Sequence, residues 1–269
     1  MTDKALVIKQ NLTAAKQHTE LSRIIKEAQI LELSCLLANS TEKITPKSLK
    51  EIYSSIFGEE DIYKDLLRLA RLTESASSTE YEIHSHEEAC IAYMGTPVSV
   101  DALKLMTEDI ITVKVSVESD FRAACEAVIS ERADFCILPY CSSVDGYYPT
   151  FFKLAKTNDL KICRMVKVQK AGSDEEILFA MLSKKLSIFN GSAKVLFSFT
   201  DTSDETLPKL LSALKEENIV VRGVHSSPLE YNMDRLEYTV EASLGEYPLK
   251  AFFAWLEATL PAHTVLGTC

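Results

Sequence analysis

Residues 133–146, ADFCILPYCSSVDG, constrain the fold more than any other stretch. Asp134 opens an apolar run in which Phe135, Ile137 and Leu138 follow one another without polar alternation. That is the pattern of a strand covered on both faces. Pro139 is expected to end the strand, because proline lacks an N–H and fixes its own φ. Cys141, Ser142 and Ser143 then bring small polar side chains to the strand's C-terminal end. Ligands of open α/β sheets bind just past such ends, so this turn is the first place to look for a site.

The surrounding residues repeat the theme. Apolar strands are expected at 89–95, 110–115, 160–168 and 177–184, with helices at 97–106, 120–131 and 147–156. Strands of this kind alternating with helices predict a mostly parallel sheet covered on both faces. From residue 193 the order changes to strand, helix, strand, strand, helix, strand, which is the βαββαβ order of a ferredoxin-like unit. Upstream, residues 4–38 hold neither Gly nor Pro. Leu21, Ile24, Ile25, Ala28, Leu31 and Leu36 recur there at helical spacing, predicting one long helix. Thr45-Pro46 reads as the N-cap and first residue of a second helix that stops at Gly58. A third spans 60–73, and the polar, Ser-rich 74–88 reads as a linker.

Charge and cysteine usage exclude several classes of function. The net charge of −10 over 269 residues repels phosphate backbones, so nucleic acid is not an expected partner. No apolar run approaches the ~18 residues of a membrane span. The N-terminus lacks a signal-peptide apolar core, so a cytoplasmic protein is expected. The seven cysteines are an odd number without a CxxC pair, which reads as reduced thiols within apolar stretches. The five histidines show no ligand spacing, and His84 and His86 sit in the polar linker. Neither a metal nor a cofactor is expected.

Residues 92–95 (AYMG), 133–146 and 158–168 (NDLKICRMVKV), in this order and spacing, resemble the prephenate dehydratase domain. The 191–269 unit resembles the ACT domain that follows it in that family, down to the ending VLGTC. The upstream helices are similar in placement to the chorismate mutase domain that some bacterial members carry. The helices lack a matching set of converging cations beside Lys16, Arg23 and Lys26, so a plain helical hairpin or dimerisation element is the competing reading. The resemblance therefore implies three parts. They are a helical region at 1–75, one mostly parallel α/β lobe of periplasmic-binding type at 88–186, and an ACT-like domain at 191–269.

The resemblance also implies an activity, the dehydration and decarboxylation of prephenate on the route to phenylalanine, in a cleft between two lobes. Residue by residue, the sequence departs from it. The family's Glu-Asn-Ser falls on Cys141, Ser142 and Ser143, so only the serine is kept, with Gly146 following. Gly95 is kept, and Ser99 falls on another family serine. The family's Thr-Arg-Phe falls on Ile177, Leu178 and Phe179, leaving a dianionic substrate without its bidentate arginine. Only eight residues, 169–176, lie where a second lobe would have to be inserted. A single βαβ unit takes ~30 residues, so they cannot hold one. The candidate site is thus Ser99 and Ser143 as vestigial catalytic positions, with Gly95 and Gly146 beside them. In the ACT-like unit the ligand loops fall on Asp204, Thr206 and Leu207 and on His225, Ser226, Ser227 and Pro228. Two acids in the first loop, at 204 and 205, suit the carboxylate of an amino acid poorly, so a structural unit and an altered amino-acid site both remain open.

These features lead to one expectation and its alternative. The expectation is a dehydratase-related protein of phenylalanine biosynthesis that is catalytically degenerate and acts as a regulatory or interaction subunit. The alternative is an active prephenate dehydratase, or a bifunctional chorismate mutase/prephenate dehydratase, whose site a partner chain completes. A simple oligomeric adaptor, using the aromatics Tyr147, Tyr148, Phe151 and Phe152, is a third class. Expected partners are a second copy, through the ACT-like unit and N-terminal helices, and an enzyme of the aromatic pathway. An aromatic amino acid is the expected ligand.

Overall fold

A computed structural model describes residues 3–40, 44–73, 77–84, 87–189, 194–200, 205–229, 232–260 and 262–269. The chain begins with helices α1 (Asp3–Ala38), α2 (Pro46–Phe57) and α3 (Ile62–Thr73). There follow β1 (Glu82–Ile83), β2 (Glu88–Met94), α4 (Pro97–Met106), β3 (Thr112–Glu118), α5 (Phe121–Ile129), β4 (Phe135–Ser142) and β5 (Gly146–Tyr147). Next come α6 (Pro149–Thr157), β6 (Lys161–Gln169), β7 (Glu176–Ser183) and β8 (Ser187–Ile188). The chain ends with β9 (Lys194–Thr200), α7 (Thr206–Glu216), β10 (Val220–Leu229), β11 (Asn232–Ser243), α8 (Leu249–Thr259) and β12 (His263–Thr268).

Two compact units result. The first comprises Met1–Ser78, Pro208–Glu217 and Tyr247–Pro261 and is helical. Thr45 caps α2 by accepting from the Ser48 backbone N–H at 3.2 Å, and the Ser48 hydroxyl accepts from Thr45 N in return, a capping box. Gly58, at φ +76°, ends the helix in a conformation that other residues enter at a cost. Helix α8 is apolar on every side from Ala251 to Leu256 and is buried all round. Its Trp255 indole N–H donates to Tyr63 O at 2.8 Å, and the Tyr247 hydroxyl donates to Leu67 O at 2.5 Å. The buried Asp65 carboxylate accepts from the Tyr53 hydroxyl at 2.5 Å and pairs with Lys26 at 2.8 Å. Burying a carboxylate is tolerated only with partners of this kind. Burial, together with Asp65, raises the Tyr53 phenol above its ordinary value. Helix α1 buries only Ile30, Leu33 and Ser34 among residues 13–38, and every residue from 13 to 25 is exposed.

The second unit comprises Thr79–Leu207, Asn218–Glu246 and Ala262–Cys269 and carries the sheet. Among the described residues the sheet runs β10-β11-β9-β12-β6-β7-β4-β2-β3, with β5 paired to the end of β4. The α/β half is mostly parallel. Strands β3, β2 and β4 pair in parallel, and β6 runs in their direction with the antiparallel β7 between it and β4. Residues 170–175 turn directly from β6 into β7. The other half has the order β10-β11-β9-β12 on a βαββαβ chain, as a ferredoxin-like sheet requires.

Alternation along β4 supplies both cores. Cys136, Leu138 and Tyr140 enter one cluster with α5 and α6, whereas Phe135 and Ile137 enter another with α4 and Phe189. Pro139 does not end the strand. It sits at a register shift against β7, between the Pro139–Phe179 and Cys141–Leu178 pairs, and β4 continues to Ser142. A bulge is one of the few places where a sheet accepts a residue without an N–H. Residues 82–83, within the expected linker, pair in parallel with β8. The two halves of the sheet meet where Gly267 of β12 pairs with Ile162 of β6. A Cβ on Gly267 would lie 2.1 Å from the Ile162 carbonyl oxygen, so only glycine fits at the join.

Candidate functional site

A cleft of about 360 Å³ opens at the C-terminal ends of β2 and β4. The end of β2 leads into α4, whose N-cap Thr96 and first-turn Ser99 border the cleft. Leu138 and Pro139 come from β4, Phe151 and Leu154 from α6, and Ile177 and Phe179 from β7. No charged residue is among those lining it. Its polar side chains are hydroxyls. Thr96 Oγ1 lies 2.7 Å from Ser99 Oγ and also accepts from the Ser99 backbone N–H at 3.3 Å. The hydroxyl pair consumes one hydrogen internally and leaves the other able to donate into the cleft. An ionised ligand would lose its hydration here with no countercharge to replace it, so the chemistry of the cleft suits an uncharged, largely apolar molecule.

The predicted site residues divide between different places. Ser99 is buried at the cleft, where its hydroxyl serves the α4 cap. Gly95 precedes Thr96, and a Cβ on it would lie 2.8 Å from Val117 Cγ1. Ser143 does not line the cleft. Its N–H donates to Glu176 O at 2.8 Å, and its Oγ accepts from Glu176 N at 3.0 Å, fastening β4 to β7. The neighbouring Ser142 is the buried one, and its Oγ accepts from Val144 N at 3.3 Å and Asp145 N at 2.8 Å to shape the turn into β5. Gly146 completes that turn at φ +73° with open space around it, so its conformation rather than crowding requires glycine. Ile177 and Phe179 line the cleft, and Leu178 between them does not line it but packs in the α5–α6 cluster.

A second and larger cavity, a groove of about 650 Å³, lies over the ferredoxin-like part of the sheet. Its floor includes one row of directly paired residues across four strands. His225 of β10 faces Thr239 of β11, Thr239 faces Ser198 of β9, and Ser198 faces Thr264 of β12. Phe151, Phe152 and Lys156 of α6 and the adjoining Tyr147 form the wall. The Tyr147 and His225 rings stand edge-on with centroids 3.7 Å apart. Lys156 pairs with Glu237 at 2.8 Å, and the Ser198 hydroxyl donates to the same carboxylate at 3.3 Å. Burial holds the His225 imidazole below its ordinary value, against the opposing pull of Glu241. Of the predicted ligand loops, His225, Ser226 and Ser227 line this groove and Pro228 follows them in β10. Thr206 and Leu207 start α7 and do not line it, and Asp204 lies outside the described residues.

Of the four aromatics of the adaptor reading, Tyr147 is exposed and Tyr148 and Phe152 are half-buried. Phe151 is buried, and Tyr140 stands edge-on to it at 5.0 Å and to Tyr147 at 5.2 Å. Sequence reasoning missed Thr150 and Leu154 of the cleft and the Thr239–Ser198–Thr264 row of the groove. The one local signal for the row is Ser198 itself, a polar residue between Phe197 and Phe199 in a buried strand. Among the described residues no group of three or more His, Cys, Asp or Glu side chains is placed to hold a metal ion, and all seven cysteines are free. No described helix is long and apolar enough to cross a membrane.

No family model and no curated protein matches the chain. Solved structures do. A prephenate dehydratase from Streptococcus mutans superposes with a TM-score of 0.54 at 17% identity, over 66% of this chain and 96% of that one. GqqA, described as a novel type of quorum quenching acylase, superposes at 0.52 and 19% identity, over 66% of this chain and 93% of that one. A prephenate dehydratase from Arthrobacter aurescens, solved in complex with L-Phe, superposes at 0.51 and 13% identity, over 66% of this chain and 89% of that one. The alternating β2–β7 order, the mostly parallel half-sheet and these superpositions agree on one conclusion: the chain has the fold of the prephenate dehydratases.

Proposed function

We propose that this protein is a catalytically degenerate relative of prephenate dehydratase that serves the phenylalanine pathway as a regulatory or interaction subunit. The observation that carries this reading is the absence of any charged residue among those lining the cleft at the ends of β2 and β4. Prephenate is a dianion. Leu178, where the resemblance implies an arginine, carries no charge and packs among the apolar side chains of the α5–α6 cluster, and Ser143 is committed to Glu176. Electrostatic preorganisation around a developing charge is the largest single contribution to catalysis of this kind, and this cleft has only hydroxyls, with no charged group, to supply it. On this reading the chain acts through a partner enzyme of aromatic amino-acid synthesis and answers to an aromatic amino acid.

A second reading is favoured by the same lack of charge. One neighbour in fold is described as an acylase, and an apolar cleft with a hydroxyl pair at its edge accepts an acyl chain.

The test is to incubate the purified full chain with prephenate and follow phenylpyruvate. The expected result is no formation above the spontaneous rate. Saturable turnover of about 1 s⁻¹ or faster overturns the degenerate reading in favour of an active dehydratase. Release of free acid from N-acyl compounds with no turnover of prephenate favours the second reading. For the regulatory role, the chain is added to an active prephenate dehydratase. A change in the enzyme's rate or phenylalanine sensitivity is expected, and an unchanged rate at saturating amounts of the chain removes that role.

A further inference from the structure

Helix α1 is 36 residues long, and its exposed face has a regular order. Ile30, Leu33 and Ser34 are buried and Lys26 reaches Asp65, so this face lies on the helical unit. On the opposite side, Ala14, Gln17, Leu21, Ile24, Ala28, Leu31, Cys35 and Ala38 follow one another at alternating intervals of three and four, all exposed. That is an a/d seam sustained over three and a half heptads. Leu21, Ile24 and Leu31 on the seam and Ile25 beside it are each 50–57% exposed. Four large side chains at half exposure, with the small ones between them, form an apolar patch of several hundred Å², at the size where a patch marks an interaction surface.

We infer that α1 pairs with α1 of a second copy of this chain as an antiparallel two-helix coiled coil centred on residue 26. In that register every seam residue meets another: Leu21 meets Leu31, Ile24 meets Ala28, Ala14 meets Ala38 and Gln17 meets Cys35 of the second copy. The flanking residues choose the orientation. Antiparallel pairing puts His18 beside Glu32 and Ile25 beside Ile25 of the second copy, which explains an exposed isoleucine just outside the seam. Parallel pairing sets Glu27 against Glu32 twice. Antiparallel pairing leaves one like-charge contact, Glu27 against Glu27 across the two-fold, where Arg23 and Arg68 of each chain lie beside it. The contact runs over roughly 36 Å of helix. Burying the patch on both copies reaches about 1,000 Å², the size that a specific interface needs. This inference does not depend on the proposed function.

The experiment is sedimentation equilibrium on the full chain. A particle of twice 30.0 kDa is expected, and a particle of 30.0 kDa even at about 100 μM overturns the inference. Ile24→Glu combined with Leu31→Glu places carboxylates in the seam without touching the buried face. Circular dichroism is expected to be unchanged, while the dissociation constant rises at least about 100-fold. A dimer that survives both substitutions lies elsewhere and overturns the proposal. Mild oxidation reads the orientation. The antiparallel pair leaves unsubstituted Cys35 uncrosslinked, and Gln17→Cys yields a 17–35 intermolecular disulfide. A Cys35–Cys35 crosslink, or a 17–17 link in that variant, means parallel helices and rejects the arrangement.

Discussion

The cleft and the groove open on one sheet but are built in opposite ways. The cleft sits at the ends of parallel strands and is lined by Leu138, Pro139, Ile177 and Phe179, with hydroxyls only at its edge. The groove lies across the face of antiparallel strands. It keeps a polar row, an imidazole and a Lys156–Glu237 pair under an aromatic wall. The cleft is lined largely by apolar side chains, as a protein core is, whereas the groove combines hydroxyls, an imidazole and an ion pair. The difference separates apolar packing at the strand ends from a polar row on the sheet face, although both share Phe151 of the core.

The strongest way to break this comparison is to remove the join between the two halves. Gly267→Ala drives a methyl into the Ile162 backbone, which cannot rotate away. The expected cost is at least about 3 kcal/mol, a fall in Tm of roughly 6–12 °C. A Tm within about 2 °C of the original by calorimetry means that the halves can part without loss. Phe179→Ala tests the packing role of the cleft. It should cost about 3–5 kcal/mol in denaturant titrations, as truncating a buried phenylalanine does, and a cost under ~1 kcal/mol means that the cleft is a true vacancy rather than core. The groove should respond more weakly. The folded-state pKa of His225 lies below its unfolded value, so the unfolded chain binds the proton more readily. Its contribution is therefore complete above the unfolded value and is lost as pH falls below it. Tm should decline on acidification through that range, and His225→Gln should flatten the decline. An unchanged slope assigns it to other groups. Smallest of all, Lys156→Ala removes a mostly exposed ion pair and should cost about 0–1 kcal/mol, less in high salt. A larger loss in melting experiments makes the groove structural and dissolves the contrast.

Much of the architecture was legible because strands such as 135–142 and 177–183 are apolar runs whose burial on both faces leaves a local mark. The helical caps at Thr45 and Gly58 were equally plain. Pro139 misled because its missing N–H is accommodated by a bulge against β7, a property of the partner strand and not of its own neighbours. Strand β1 was hidden because two residues in a polar segment carry no period, and only their pairing with residues 187–188 defines them. The cleft was partly legible, since Ser99, Ile177 and Phe179 are all at it. The groove was legible only through His225, Ser226 and Ser227. The rest of its floor joins residues 41 and 66 apart in the chain through sheet register, which no local pattern encodes.

Trp255 is the single tryptophan in the chain, and it is fully buried in the helical unit with its indole N–H on Tyr63. Its emission therefore reports on one compact unit, while the sheet unit holds tyrosines such as Tyr93, Tyr140, Tyr147 and Tyr238. The protein thus carries a built-in optical label that distinguishes melting of the helices from melting of the sheet, with no dye or substitution required.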